Sequence, residues 1–420
     1  MVQDQLSENR WNHHHRTEEF MDSGNTAWML MASALVLFMT PGLAFFYGGL
    51  VRARNVISTI MYSFMAMAVV SVVWVLWGYS LAFGDGNKWI GDLSVIGLSG
   101  IDVQTDGDTL LFVVFQMMFA IITPALITGA IVERFKFTTY LIFLVLWITL
   151  VYAPIAHWVW AGNGWLFDMG ALDFAGGTVV HINAGMAALA AAILVGKRRN
   201  PASEPHNVPY VVLGAAILWF GWFGFNAGSG LAANALAVNA FLVTNVAAAA
   251  AALTWGVLSQ IQTGRMSAVG VASGAVAGLV AITPASGFVG VMGALAIGIG
   301  AGVFCYGAVL LRAKTNVDDA LEVVAVHGVG GLWGALATGI FAVAAIGGTA
   351  GAIEGNVDQM RIQIIAVGAT IGYSFVVTVI ILKVLDVIPG LGLRVSETEE
   401  DQGLDLTSHG ERAFISDGAD

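Results

Sequence analysis

Asp173-Phe-Ala-Gly-Gly-Thr-Val-Val-His181-Ile-Asn-Ala-Gly185 is a stretch of apolar and small residues that contains one acid and one histidine. A histidine at membrane depth is energetically unfavourable, so it indicates a functional site and needs a polar partner. The second stretch Asp319-Ala-Leu-Glu-Val-Val-Ala-Val-His327-Gly-Val-Gly-Gly331 repeats the same spacing of acid, histidine and glycine. We therefore expect two helices that each carry an acid and an imidazole, on faces where small residues let backbones approach closely.

The composition around these stretches is that of a membrane protein. The chain has 420 residues, of which 57 % are hydrophobic and 11 % charged, and its mean hydropathy is +0.79. Lipid provides no hydrophobic force between helices, so the 52 glycines are expected at close helix contacts. A single cysteine, Cys305, excludes an internal disulfide and is expected as a buried thiol.

Apolar stretches long enough to span a bilayer, on the order of 20 residues, recur along the chain. We find eleven, and the fold is therefore predicted to be an all-α polytopic membrane protein with spans at residues 26–51, 55–83, 109–132, 138–158, 175–196, 208–227, 236–260, 266–282, 288–311, 320–345 and 361–387. No secretory signal peptide is expected, because residues 1–22 are polar. An odd number of spans puts the two termini on opposite sides of the membrane.

Basic residues set the orientation, because short cytoplasmic loops accumulate Lys and Arg. Loops after odd-numbered spans contain Arg52, Arg54, Arg134, Lys136, Lys197, Arg198, Arg199, Arg265, Arg312 and Lys314, far more than the opposite side. We expect a cell-membrane protein with an extracellular N-terminal tail at residues 1–25, a membrane domain at 26–387 and a cytoplasmic C-terminal tail at 388–420. His13, His14 and His15 are interpreted as part of a solvated tail.

The two histidines divide the spans into equal halves. His181 lies in the fifth span and His327 in the tenth. Five is odd, so the second half must insert upside down relative to the first, and inverted repeats of this kind usually hold a substrate path at their interface. The prediction is two inverted five-helix repeats plus a final helix, with the two histidines meeting near the midplane.

A pair of histidines can serve several chemistries. Two imidazoles without a third ligand make a poor zinc site, and on a helix Asp173 and Asp319 would lie about 12 Å from their histidines. Hydrolysis lacks a nucleophile with an adjacent base, so no enzyme is expected. Two structural core histidines are the plain alternative, but their matched placement favours a narrow conduit for a small polar molecule.

Aromatic residues mark a second site at the predicted outer surface. Trp160 closes the fourth span and Ser229 ends the sixth, in Trp222-Phe-Gly-Phe225-Asn-Ala-Gly-Ser229, while Phe119 lies in the third. An indole face and a hydroxyl there could hold a small cation by cation–π attraction and one hydrogen bond. An aromatic belt at the lipid interface is the alternative interpretation.

These motifs resemble those of the ammonium transporter (Amt) family, within the wider ammonium transporter and Rhesus group. The similarity covers about residues 26 to 415, and its most specific part is the Asp173 to Arg198 motif around His181. It also includes Pro41-Gly-Leu-Ala-Phe-Phe-Tyr-Gly-Gly-Leu-Val-Arg52, Val326-His-Gly-Val-Gly330 and Gly403-Leu-Asp-Leu-Thr-Ser-His-Gly410. Glu322 departs from the pattern, since many relatives have Asp there.

The resemblance implies roles for individual residues. Trp160, Phe119 and Ser229 resemble the outer ammonium-recruitment site, and Phe119 with Phe225 resembles a stacked gate beneath it. His181 and His327 resemble the twin-histidine pair of the pore, and Asp173 resembles a buried acid that supports the recruitment site.

The resemblance also implies partners: ammonium or ammonia as substrate, the lipid bilayer, a homotrimer with one pore per subunit and a PII-type signal protein at the cytoplasmic face. No cofactor, bound metal or nucleic acid is expected. An ammonium sensor that signals through its tail and a Rhesus-like gas channel remain the alternative functions.

Overall fold

A computed structural model describes residues 22–201 and 204–414. Most of the predicted N-terminal tail, including His13, His14 and His15, lies outside these residues. The described chain is helical and forms no β-strand, only two isolated bridges. In the described residues Cys305 is a buried free thiol, as expected.

Ten helices of the described chain are long and apolar enough to cross a membrane, and one apolar helix, Ala268–Ile282, is shorter. We label them in chain order: α1 Ser23–Leu50, α2 Ala53–Phe83, α3 Gly107–Ala130, α4 Phe137–Met169, α5 Gly177–Val195, α6 Val208–Gly228, α7 Ala235–Thr263, α8 Ala268–Ile282, α9 Val291–Arg312, α10 Val324–Phe341 and α11 Asp358–Val387. Helix α4 is interrupted at residues 161–164. Short helices Ile96–Leu98, Ala344–Gly347 and Ala352–Glu354 lie in the connections.

Polar side chains cap the N-termini of several of the membrane-length helices. Asn207 accepts a hydrogen bond from the Tyr210 N–H at 3.0 Å and starts α6, and Asn234 accepts one from Ala237 N–H at 3.0 Å and starts α7. Gly264 ends α7 in the left-handed conformation, at φ +75°. These caps satisfy backbone groups that a helix end leaves unpaired.

Four segments of the spans are π-helical: Trp74–Gly78 in α2, Ile148–Tyr152 in α4, Gly177–Ile182 in α5 and Val324–Val329 in α10. The last two contain His181 and His327. Wider π turns inside α-helices are frequent at functional sites. Both histidines therefore project from locally irregular backbone rather than from the regular α-helix that the sequence spacing predicts.

Glycines bring the two histidine-bearing helices into backbone contact. A Cβ atom added to Gly185 of α5 would lie 2.4 Å from the Gly328 Cα of α10. A Cβ atom added to Gly334 of α10 would lie 2.2 Å from the Ala281 carbonyl oxygen of α8. The expected close approach at small residues is confirmed, because no larger side chain fits at either position.

The sequence prediction that each acid shares a helix with its histidine is wrong. Asp173 lies before the start of α5 at Gly177, and Asp319 lies before the start of α10 at Val324. The tenth span is accordingly shorter than the predicted 320–345. A carboxylate is more stable at a helix N-terminus, where it accepts unpaired N–H groups and meets the positive end of the helix dipole, than inside an apolar helix.

Loops on one side of the bundle form a buried ionic cluster, which we call the basic face, from Arg52, Glu133, Arg134, Arg198 and Asp318. Asp318 accepts hydrogen bonds from Arg198 Nε at 2.9 Å and Nη2 at 2.8 Å. Burial alone would raise the pKa of Asp318, but the Arg198 guanidinium holds that pKa below its ordinary value.

The C-terminal tail folds onto this basic face as two short helices, α12 Glu397–Gln402 and α13 Leu404–His409. The Ser58 N–H at the start of α2 donates to Asp405 at 2.8 Å. The Leu404 N–H donates to Asn55 at 2.8 Å, and the Arg199 N–H donates to buried Glu400 at 2.6 Å. The tail is thus held by hydrogen bonds to carboxylate and amide side chains.

Candidate functional site

Asp173 organises the start of α5. Its two carboxylate oxygens accept five hydrogen bonds, from the backbone N–H groups of Gly176, Gly177, Thr178 and Val179 and from the Thr178 hydroxyl. Gly176 has φ +117°, which brings these N–H groups around the carboxylate and which a residue with a Cβ rarely adopts. Both oxygens of Asp173 are therefore occupied by hydrogen bonds from the chain, and neither is available to a substrate.

The indole of Trp160 is tied to the same residue. Its Nε1–H donates to the Asp173 carbonyl oxygen at 3.0 Å, which fixes the ring plane at the end of the regular part of α4. The Trp160 and Phe119 ring centroids lie 5.8 Å apart with their planes at 89°. One acid thus positions both the Trp160 indole and the helix that carries His181.

Phe119 and Phe225 are in direct ring contact below the indole, with centroids 4.3 Å apart. Their planes are inclined by 39°, so the two rings form a tilted pair. Offset and inclined arrangements avoid repulsion between the faces of two aromatic rings. Phe119 lines one cavity, which we call the outer cavity because the predicted recruitment residues line it, and Phe225 lines a second, which we call the inner cavity. The ring pair therefore lies between the two cavities.

The outer cavity has a volume of about 40 Å³ and is lined by the predicted recruitment residues Phe119, Trp160 and Ser229, together with Gln116 and other aromatic side chains. A single water needs about 10–15 Å³, so this space holds a small hydrated cation or several waters. The Ser229 hydroxyl donates to the Phe225 carbonyl at 2.8 Å. Its oxygen lone pairs therefore remain available as acceptors.

His181 and His327 lie side by side in the inner cavity. Their Nδ1 atoms are 3.2 Å apart, and their ring planes differ by 28°. In a neutral pair one Nδ1 donates and the other accepts, so one Nε2 carries a proton while the other offers a lone pair. The His181 Nε2 atom is buried and has no partner within the described chain, and His181 is one of the residues that line the inner cavity.

The inner cavity is narrow and apolar. Its volume is about 10 Å³, which is the size of one water at most. Apart from the two histidines, the lining residues are Met39, Leu43, Phe46, Ile122, Leu126, Val180, Leu218, Trp222, Phe225 and Val276. An ion without its hydration shell would be strongly destabilised in such a space.

Trp222 is a member of this site to which the sequence reasoning gave no role. Its ring stacks on His181 with centroids 5.4 Å apart, and its Nε1–H donates to the Thr283 hydroxyl at 2.9 Å. The sequence contains a signal for this role, because Trp222 and Phe225 are three residues apart and therefore share one helix face.

Asp319 is the counterpart of Asp173 at the other end of the histidine pair. It is fully buried, and its Oδ2 accepts the Val324 N–H at 2.7 Å. Its Oδ1 has no hydrogen-bond partner within the described chain. Burial raises the pKa of this carboxyl to about 6, although nearby N–H groups oppose the rise. Each acid thus caps the helix that carries a histidine. Both oxygens of Asp173 accept hydrogen bonds, whereas only Oδ2 of Asp319 does so within the described chain.

Glu322 follows Asp319 at the position that Gly176 occupies after Asp173. Both residues have positive φ, +64° at Glu322 and +117° at Gly176. The Glu322 carboxylate is paired with Arg312 Nε at 3.0 Å. The left-handed conformation is therefore retained at this point of both motifs, even where the residue is not glycine. No group of three or more His, Cys, Asp or Glu suited to a metal ion occurs in residues 22–201 and 204–414.

Known proteins are similar to this chain in sequence and in fold over almost its whole length. The family model described as Ammonium Transporter Family matches residues 27–414. The chain is 49 % identical to the ammonium transporter Amt1 of Archaeoglobus fulgidus, over 94 % of this chain and 100 % of that protein. It is 39 % identical to the crystal structure of Saccharomyces cerevisiae Mep2, with a TM-score of 0.87 over 95 % and 93 % of the two chains. A solved Sensor Amt Protein is 32 % identical, with a TM-score of 0.85 over 92 % of this chain and 98 % of that one. Sequence and architecture agree, and the chain belongs to the ammonium transporter family.

Proposed function

We propose that this protein carries ammonium across the cell membrane by recruiting the cation in the outer cavity, removing its proton and conducting ammonia along the histidine pair. The observation that carries the proposal is the Nδ1 to Nδ1 distance of 3.2 Å between His181 and His327 in an otherwise apolar cavity. The similarity to the ammonium transporter Amt1 of Archaeoglobus fulgidus supports the choice of substrate. Ammonium transporters are not enzymes, and no catalytic reaction is proposed.

Recruitment uses the aromatic faces of Trp160 and Phe119 and the oxygen of Ser229. A cation over an aromatic face gains electrostatic attraction from the ring, and more when it is partly desolvated. The Ser229 oxygen accepts one N–H of the ion, since its own proton is engaged with Phe225. Asp173 supports the site through the indole that it holds and does not touch the ion.

Selectivity arises because the inner cavity excludes charged species. Potassium and ammonium are equally unstable in a dry cavity of about 10 Å³. Only ammonium can discard its charge, since an ammonium group loses its proton near pH ~10 in water and more readily when desolvated. Neutral ammonia then passes the Phe119 and Phe225 gate and exchanges hydrogen bonds with the imidazoles. The released proton either returns to the water outside or is passed along the imidazole pair.

The membrane arrangement that we propose contains eleven spans, with α8 as the shortest, in two inverted halves of five and a final α11. Support comes from pairs of helices five positions apart, because α1 packs along α6 and α5 packs along α10. The left-handed residues at Gly176 and Glu322 repeat with the same five-helix offset. Under this arrangement, residues 26–387 form the membrane domain.

The basic face is proposed to be cytoplasmic, because its arginines follow the positive-inside rule. The N-terminal tail is then extracellular, and the C-terminal residues 388–420 are cytoplasmic. We further propose a homotrimer with one pore per subunit, and a PII-type signal protein as a partner of the face on which α12 and α13 lie.

The test is a comparison of ammonium and potassium currents in reconstituted bilayers. Replacing His181 and His327 together by leucine should abolish selective ammonium current or reduce it severely. Surface density is equalised by quantifying the reconstituted protein, and Cys305→Ser provides a control outside the cavities. Undiminished selective flux through the double variant would contradict the role given to the pair.

A second candidate function, an ammonium sensor, is favoured by the likeness to the solved Sensor Amt Protein. A sensor would bind ammonium in the outer cavity without a matching flux. Measuring binding by quenching of the cavity tryptophans alongside current separates the two functions. Binding with negligible current in the natural chain would favour the sensor.

A further inference from the structure

His157 is a buried histidine of α4 that neither the recruitment site nor the histidine pair uses. Its Nδ1 atom lies 2.9 Å from the Ala82 carbonyl oxygen near the end of α2. Its Nε2 atom lies 2.6 Å from the Asn87 carbonyl oxygen, in the connection formed by residues 84–106, which we call the α2–α3 loop. Both ring nitrogens therefore face a backbone carbonyl at hydrogen-bond distance.

Two carbonyl partners require two donors on the imidazole. A carbonyl oxygen only accepts hydrogen bonds, and a neutral imidazole has one N–H group and one lone pair. The neutral ring can thus satisfy one carbonyl, and its lone pair then faces the oxygen of the other. The imidazolium form donates from both nitrogens and satisfies both carbonyls. The surroundings of His157 are therefore complementary to a protonated histidine.

His206 shows how a neutral histidine is accommodated in the same chain. Its Nδ1 atom lies 2.9 Å from the Val51 carbonyl oxygen, and its Nε2 atom has no hydrogen-bond partner within the described residues. One N–H group is enough for that arrangement. The double contact of His157 is thus a specific feature of its position and not a general property of the histidines here.

The α2–α3 loop turns further carbonyl oxygens toward the same part of α4. Trp89 accepts the Trp158 Nε1–H at 2.7 Å, Lys88 accepts the Trp165 N–H at 3.2 Å, and Asp85 accepts the Asn163 side-chain amide through its backbone oxygen. All these contacts run from donors on α4 to acceptors on the loop. A histidine that donates twice follows this pattern, whereas a ring nitrogen with a lone pair breaks it.

Charged side chains do not decide the protonation of His157. The titratable and charged residues on the elements around it are Tyr79 of α2, Asp85, Lys88 and Asp92 of the α2–α3 loop, Asp168 of α4 and Asp173 before α5. In the described chain none of them forms an ion pair or a hydrogen bond with the imidazole. Burial opposes the charged ring, and the two carbonyl acceptors favour it.

His157 joins two elements that border the outer cavity. Trp160 follows it by three residues on α4. Phe83 follows Ala82 at the end of α2 and packs edge-on against Phe112, with ring centroids 5.0 Å apart. Phe112 and Trp160 both line the outer cavity. An imidazolium bonded to α2 and to the α2–α3 loop thus holds two walls of that cavity at a fixed separation.

We propose that protonated His157 is a positioning residue of the recruitment site, so that ammonium binds more tightly while this imidazole carries its proton. When the proton leaves, one of the two carbonyls faces a lone pair, that contact opens, and the walls with Phe112 and Trp160 are held less firmly. The inference rests on the proposed transport of ammonium and adds a dependence on the pH of the solution that meets the outer cavity.

The test is the half-saturating concentration of the ammonium ion for currents through proteoliposomes, measured as a function of pH. Between about pH 5 and about pH 8, which spans the ordinary titration of histidine, the value for the natural chain should rise. The rise should be about twofold to tenfold, the range that corresponds to one hydrogen bond. His157→Gln carries one amide donor and one acceptor, like the neutral ring, at every pH. Its half-saturating concentration should equal that of the natural chain at high pH and should not vary with pH.

His206→Gln is the matched control, because it makes the same substitution at a histidine with a single carbonyl partner. It should retain the pH dependence of the natural chain. A His157 that only fills space predicts a different result, in which His157→Gln is weaker at every pH but changes with pH as the natural chain does, and this would overturn the inference. Should His157→Gln not reconstitute, His157→Asn offers the same donor and acceptor and carries the same expectation.

The two proposals fail in different ways. A natural chain without ammonium current at any pH would refute the proposed function itself. Normal currents with a half-saturating ammonium concentration that is constant from about pH 5 to about pH 8 would refute only the role of His157.

Discussion

Asp173→Asn is the substitution that most directly tests how this site is built. Asp173 Oδ1 accepts two hydrogen bonds and Oδ2 accepts three. An asparagine turns an NH₂ group toward at least two of these donors, whichever way its amide is oriented. Each hydrogen bond to a charged acceptor contributes about 1.5–3 kcal/mol, so the loss of two corresponds to about 3–6 kcal/mol of stability.

The same substitution should impair transport, because Asp173 connects both parts of the site. Its carbonyl holds the Trp160 indole, and its carboxylate holds the turn that leads to His181. The assay is thermal unfolding of the purified protein in detergent, followed by ammonium current after reconstitution. We expect a clearly lowered melting temperature and a loss of current in the fraction that remains folded.

Asp319→Asn is the matched control within the same chain. Asp319 Oδ2 accepts the Val324 N–H, whereas Oδ1 has no partner within the described chain. An asparagine can keep its oxygen on Val324 and place its amide where no donor is opposed, so no loss of stability is expected at neutral pH, in contrast to Asp173→Asn. Equal stability losses for Asp173→Asn and Asp319→Asn would refute the argument from the number of accepted hydrogen bonds.

Other predictions address the remaining parts of the structure. Trp160→Ala should raise the half-saturating ammonium concentration about tenfold by removing a cation–π contact, and unchanged concentration dependence of the current would contradict it. Gly185→Leu should prevent folding, since a Cβ there would lie 2.4 Å from the backbone of α10, whereas Gly307→Leu, with no atom within 4 Å of its added Cβ, should express normally. Asp318 has a lowered pKa, so Asp318→Asn should be less stable at pH 7, with a deficit that closes as the pH falls below about 4. Asp319 has a raised pKa of about 6, so the folded chain binds the extra proton, and melting curves should show Asp319→Asn gaining stability relative to the natural chain as the pH rises from about 4 to about 6.

The helical membrane architecture and the two histidine motifs were predictable because they depend on local composition. Hydrocarbon-length apolar runs must be helical, since lipid offers no partner for backbone N–H and C=O groups. His181 and His327 stand out because a polar side chain in such a run is unfavourable without a function. Trp160 and Ser229 stand out because they close apolar stretches of the sequence, where an aromatic or a hydroxyl group is expected to meet water.

The position of the acids was not predictable from periodicity. Asp173 and Asp319 lie eight residues before their histidines, and this spacing fits a helix as well as it fits a cap that precedes one. Asp173 precedes its helix because it accepts hydrogen bonds from N–H groups that come together only when the turn at Gly176 forms. The tilt of Phe119 against Phe225 likewise depends on how α3 and α6 cross.

The amino-acid sequence by itself determined which segments are helical and that His181 and His327 lie within them, because both follow from the free energy of placing each side chain and backbone group in hydrocarbon. Only the tertiary structure decided that the imidazoles of His181 and His327 come within 3.2 Å and that the Phe119 and Phe225 pair lies between two cavities. Those features depend on distances between residues far apart in the chain, which are set where glycine backbones meet and not by any local pattern.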